Sequence, residues 1–179
     1  APTDAPTPAP TDAPTPEPCT PITEVLATLP TLAAAVGAAS ETVQGALTTD
    51  GITVFAPSED AFAATIAEIA TLTNGAVGIN ELLSNQGILD AILAYHAVLG
   101  ARVRAGDLTD GQVVQTALPG ETFTVDLSNG ASIVDSAGRN VPISTTDIET
   151  CTATIHVIDR VLVSASVLAQ LLPTTTAGT

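Results

Sequence analysis

The chain has 179 residues, enough for one domain of ordinary size plus a tail, and sets 19 Asp and Glu against four basic residues for a net charge of −15. Such a surface repels phosphate, which excludes nucleic acid as a partner and disfavours an anionic membrane. The chain is 45% hydrophobic but only 2% aromatic and lacks Met and Trp, so its core must be built from Ala, Val, Ile and Leu, with the acidic excess keeping it in solution by self-repulsion.

Residues 1–18 read Ala-Pro-Thr-Asp-Ala-Pro-Thr-Pro twice over, then Glu17-Pro18. Proline this dense, with almost nothing apolar to bury, predicts an extended polyproline II or disordered stalk. A single domain is expected over 19–172, followed by a flexible tail at 173–179. The chain contains no signal peptide and no membrane-spanning run, and opens like a mature protein from which a targeting segment has been removed. No Asn-x-Ser/Thr acceptor for N-glycosylation occurs.

Thr20-Pro21 reads as an N-cap with Pro at the first helical position, opening a short helix with Ile22, Val25, Leu26 and Leu29 on one face. Pro30 breaks it. A second helix is predicted from about Thr31 to Leu47, and Thr49-Asp50-Gly51 turns the chain into a strand beginning Ile52-Thr-Val-Phe55. After Pro57, Ser58 reads as an N-cap, with Glu59 and Asp60 in the first turn where the helix dipole favours negative charge, and Phe62, Ile66 and Ile69 face inward. A loop at Asn74 to Gly78 and a break at Asn85-Gln86-Gly87 precede a helix from Ile88 to about Leu99. There Ile88, Ile92, Tyr95 and Leu99 form one apolar stripe and Leu89, Leu93 and His96 the next, placing Tyr95 and His96 on or beside the buried face.

From Gly100 the period becomes alternating. Arg102 to Arg104, Gln112 to Ala117, Glu121 to Leu127 and Ala131 to Asp135 read as strands, with Ser128-Asn129-Gly130 as a hairpin turn and Ser136 to Asn140 as another. Thr154 to Val163 is apolar on both faces, which demands a central strand. Val167 to Leu172 makes a last helical turn. Helices first and strands afterwards predict an α+β fold with an antiparallel sheet.

Cys19 and Cys151 stand at the two ends of the domain. An even count in a chain of extracellular character favours a disulfide between them, with two free buried thiols as the alternative. Neither the cysteines nor the two histidines, His96 and His156, have the close spacing of a metal site, and Asp107-Leu-Thr-Asp110-Gly is too short for a calcium loop. No metal, no catalytic residue and no enzyme activity is expected: His156 has Asp159 nearby, but a three-residue offset on a strand sends the two side chains to opposite faces. From the residues alone, Tyr95, His96 and His156 read as hydrogen-bonding side chains that hold helix to sheet.

Gly51 to Phe62, Tyr95-His96 and Thr154 to Val163 together resemble the first, middle and last landmarks of the fasciclin domain, over roughly Thr20 to Leu172. That resemblance implies a wedge-shaped β-sandwich flanked by helices, with the first and last blocks adjacent in the core. It also implies a binding role for Tyr95 and His96, since in animal members the Tyr-His pair and its flanking aliphatics, here Leu93, Val98 and Leu99, are implicated in adhesion through integrins. Asp147-Ile148 resembles the acidic-aliphatic pair before the last block. The Asn-Gly usual just ahead of that block is replaced by Cys151-Thr-Ala-Thr.

The Ala-Pro and Thr-Pro dipeptides of residues 1–18 are similar to the O-glycosylated modules of arabinogalactan-type wall proteins of plants and green algae; a plain linker is the other reading. Two functions follow from the resemblance. One is a secreted adhesion or matrix module at a cell surface or wall, binding proteins or glycans. The other is a soluble carrier of an apolar pigment, since some algal members bind carotenoids such as astaxanthin. A carrier needs an apolar groove between helices and sheet, and the small residues at Ala33 to Ala39 and Ala61 to Ala70 either leave one or pack the helices closely.

Overall fold

The computed structural model describes residues 19–172; the expected stalk at 1–18 and tail at 173–179 lie outside the described residues. Six helices precede most of the sheet: α1 (Ile22–Ala27), α2 (Pro30–Ala38), α3 (Glu41–Leu47), α4 (Glu59–Leu72), α5 (Ile79–Ser84) and α6 (Gln86–Tyr95). The strands are β1 (Ile52–Pro57), β2 (Ala97–Val98), β3 (Val113–Gln115), β4 (Thr122–Asp126), β5 (Ser132–Val134), β6 (Asn140–Glu149) and β7 (Ala153–Ile158), and α7 (Ala165–Leu171) closes the described chain. They form one seven-stranded sheet in the order β2-β1-β7-β6-β5-β4-β3.

The α+β fold expected from sequence is the fold observed. Its sheet is antiparallel at every pairing but one: β1 and β7, the two signature blocks, run parallel in register from Ile52↔Ala153 to Pro57↔Ile158. Parallel neighbours covered on both faces carry unbroken apolar runs, and β1 is buried at all six positions. The centrality predicted for Thr154 to Val163 holds, with β7 between β1 and β6, though the strand ends at Ile158 and Val161 to Val163 continue as buried, non-strand chain.

Alternation along β1 and β7 divides the core in two. Ile52, Val54, Ala56, Ala153 and Ile155 face the helices, packing on Leu32, Ala35, Phe62, Ile92 and Leu93. Phe55 and Ile158 face the inside of the wedge with Tyr95, Phe123, Val125, Ile133 and Val141. Strand β6 bends across both halves, with register shifts between Ile143 and Thr145 and between Thr145 and Ile148, and beyond β3 the Ala117 amide donates to the Ala97 carbonyl at 2.7 Å. The sheet is thereby almost closed on itself.

Several local expectations are corrected. The helix predicted over Thr31 to Leu47 is two helices, because the chain opens at Ala39-Ser40, where the Asp90 carboxylate of α6 accepts the Ser40 amide at 2.8 Å. Pro21, not Thr20, occupies the N-cap of α1, and no side chain caps that helix. Helix α6 stops at Tyr95; Ala97-Val98 instead pair with β1, and Leu99 is exposed. Arg102 to Arg104 is not a strand, since Arg102 turns to donate to the carbonyls of Thr150 and Ala153 at 2.7 and 3.0 Å. The ten-residue β6 was not legible, its Ser-Thr-Thr-Asp centre hiding it.

Cys19 and Cys151 form the disulfide, Cα atoms 4.9 Å apart. The Cys151 amide also donates to the Thr20 carbonyl at 3.1 Å, so the entrance to α1 is fastened to the β6–β7 turn.

Candidate functional site

Helix α6 begins at Asn85, whose side chain accepts the Ile88 amide. The helix presents Ile88, Leu89, Ile92 and Leu93 to the core before ending on the Tyr95-His96 pair. Tyr95 is fully buried. Its hydroxyl donates to the Thr122 carbonyl at 2.9 Å and accepts the Ser136 amide at 2.8 Å, tying α6 to β4 and to the turn after β5. The ring meets Phe123 edge-on, and Phe123 meets Phe55 edge-on at 5.1 Å. Burial raises the Tyr95 hydroxyl above its ordinary range of ionisation, partly offset by the hydrogen bond from Ser136.

His96 lies at the junction of helix, first block and last block. Its Nδ1 donates to the Ile92 carbonyl at 2.7 Å, and its Nε2 accepts the Leu162 amide at 2.9 Å. A backbone N–H can only donate, so the ring is held as the neutral Nδ1–H tautomer. Its own carbonyl accepts the Phe55 amide at 2.8 Å. Burial is the main reason that its pKa falls to about 4, with the Arg139 guanidinium adding to the effect against the hydrogen bond to Ile92.

His156, also fully buried, lies opposite Phe55 in the β1–β7 register and stacks on it with ring centroids 5.2 Å apart. Its Nε2 donates to the Val103 carbonyl at 2.9 Å while its Nδ1 accepts the Asp147 amide at 3.2 Å. Asp147, at a φ of 58°, reaches back through its carboxylate to the Ala105 amide. The acidic-aliphatic pair noted in the sequence thus anchors the crossing from β2 to β3. Asp159 is exposed, away from the buried His156.

The structure therefore brings Tyr95, His96 and Val98 close to both signature blocks, but inside. Tyr95, His96, Leu93 and Val98 are each no more than 6% exposed. Leu93 and His96 do line cavities. One, under α1, is walled by Ile22, Leu26, Val54, Phe55, Leu93 and His96 and measures about 20 Å³, room for roughly one water. Another of about 20 Å³ lies between α2, α4 and α6. Ala35, Ala39 and Ala61 are buried, so the small residues pack the helices closely. Sequence reading missed a third, more open groove of about 170 Å³ lined by Val43, Ala46, Leu47, Leu93, Ala94 and Leu99; its signal, Leu99, was placed on a helical stripe that stops four residues earlier.

The outer surface is dominated by carboxylates. Arg139 is two-pronged on the buried Asp135, with Glu68 also within 3.6 Å, and donates to the Val161 carbonyl. Arg102 is spent on backbone carbonyls and Arg104 pairs with Glu149. Among the described residues, Arg102 and Arg160 have no acidic side-chain partner. Asp107, in the nearest approach to a calcium loop, accepts the Arg104 amide within its own turn, and Asp110 accepts the Leu127 amide at the end of β4.

Comparison with known proteins adds the following. The family model "Fasciclin domain" matches residues 27–164. Protein sll1483 of Synechocystis sp. is 37% identical over 136 residues, covering 75% of this chain and 67% of that protein. The FAS1 domain pair of the insect cell adhesion molecule Fasciclin I superposes with a TM-score of 0.54 at 17% identity, over 72% of this chain. The chain spans 42% of the length of that domain pair.

Proposed function

The chain belongs to the fasciclin domain family, and from that premise we propose that it works outside the cell as an adhesion or matrix module, meeting proteins or glycans of a cell surface or wall through its acidic exterior. The observation that carries this reading is where the side chains are used. The family's landmark residues are consumed in internal hydrogen bonds, and three of four arginines are engaged within the domain, so what remains for a partner is a carboxylate-rich surface. Such a surface favours basic partners, or neutral ones rich in donors. The Cys19–Cys151 disulfide supports an oxidising compartment, and the similarity to a cell adhesion molecule's domains supports the role. Residues 1–18 would then be a spacer, plain or O-glycosylated.

In this reading Tyr95 and His96 act on adhesion through the fold that they hold, with Leu93 and Val98 as their packing. The test is attachment of cells or wall fragments to immobilised protein over a series of salt concentrations. Attachment that weakens as salt rises supports the acidic surface as the contact; no attachment at any salt overturns the reading.

The 170 Å³ groove and the apolar cavities beside it favour a second reading, a carrier of an apolar pigment. Pockets for ligands of that kind run to roughly 300–1,000 Å³, so α1–α3 would have to part from the sheet on loading. A carotenoid co-eluting with the protein on a sizing column, with a shifted absorption band, would put this reading first; protein that elutes colourless would remove it.

A further inference from the structure

The chain holds two Asn-Gly dipeptides, Asn74-Gly75 and Asn129-Gly130, both with exposed asparagines. The sequence uses them alike, as turns, but the fold treats them differently. Asn74 follows α4, and the Gly75 amide is held by the Ala70 carbonyl at 2.7 Å as the helix's closing hydrogen bond. Asn129 sits at the tip of the β4–β5 hairpin, where the only backbone pairing of Gly130 among the described residues is an isolated bridge to Ser128. Its side-chain amide touches Ser128 Oγ at 3.4 Å, the outer edge of hydrogen bonding. A Cβ built on Gly130 or on Gly75 would meet nothing within 4 Å, so the two sites differ in the hydrogen bond to the glycine nitrogen and not in crowding.

We infer that Asn129 is a site of spontaneous covalent modification and that Asn74 is protected. The Gly130 backbone nitrogen gives up its proton to solvent base and attacks Asn129 Cγ; the C–N bond of the side-chain amide breaks and ammonia leaves, giving a five-membered succinimide. Water then opens either carbonyl, yielding aspartate or isoaspartate at position 129. Glycine permits the attack because it has no side chain to crowd its nitrogen. At Asn74 the same nitrogen is already donating in a short hydrogen bond, which must first break. The product matters locally. The Asp126 carboxylate, held ionised by hydrogen bonds from the Ser128 hydroxyl and amide, would face a second negative charge in the same turn. An isoaspartate would also insert a methylene into the backbone beside the Asp126↔Ser132 pair. The hairpin tip therefore ages towards greater negative charge and a looser turn.

The test is peptide mapping of the full chain after incubation in mildly alkaline buffer, with a parallel sample in urea. The two sites should convert at similar rates in urea. In the native protein Asn129 should convert about tenfold faster than Asn74, the factor that one backbone hydrogen bond is worth. Native conversion at Asn74 that equals or exceeds that at Asn129 overturns the inference. Asn129→Gln, checked for an unchanged circular dichroism spectrum, should abolish the main acidic species on ion exchange; its persistence would also overturn it.

Discussion

Placing a proton on His96 Nε2 would set two donors face to face, because that nitrogen receives the Leu162 amide. With the folded-state pKa near 4 and an ordinary value of 6.5, the unfolded chain binds a proton before the native one does. Stability from this group is complete above about pH 6.5, falls as pH drops towards 4, and changes no further below that; the loss is about 3 kcal/mol. Thermal melts of wild type and His96→Gln from pH 7 to 4 check this, the variant lacking that slope. Tyr95 has the opposite sense: its raised ionisation means that stability is lost as pH climbs above about 10. Tyr95→Phe, which leaves the Ser136 amide without its acceptor, should cost about 1–3 kcal/mol in denaturant unfolding. Sequence placed both residues at the buried face from helical spacing alone. It gave no access to their partners, since Leu162 lies 66 residues from His96 and Ser136 41 from Tyr95.

The start of α4 and the central strand were the readable elements. Ser58 caps α4 as predicted, accepting the Ala61 amide at 3.2 Å, and Ser58→Ala should cost about 1 kcal/mol in a chemical melt. What escaped sequence reading depends on distant groups. The opening between α2 and α3 is stabilised by Asp90, 50 residues on, and β6 carries polar residues because it bends around the edge of both core halves with register shifts. The β1–β7 pair was recognisable as two buried apolar runs, but not as parallel, because neither run contains its own orientation. The disulfide joins residues 132 apart, and Cys151→Ser with Cys19→Ser should lower stability by up to about 5 kcal/mol. A melting temperature that is unchanged on reduction would contradict that role.

Across the whole molecule, one design recurs: uncommon polar side chains are buried to fasten three segments far apart in sequence, and the exterior is left to carboxylates. Family membership was readable because the fastening residues sit in compact blocks. The partner was not, because no motif in the sequence marks one. The most direct measurement is cell or wall attachment to surfaces coated with native protein or Tyr95→Phe, at a temperature where circular dichroism shows both folded. Equal attachment despite a lower melting temperature for the variant is the predicted result, with Tyr95 acting as an internal fastening. Loss of attachment by a fully folded variant would contradict it and return Tyr95 to the contact surface.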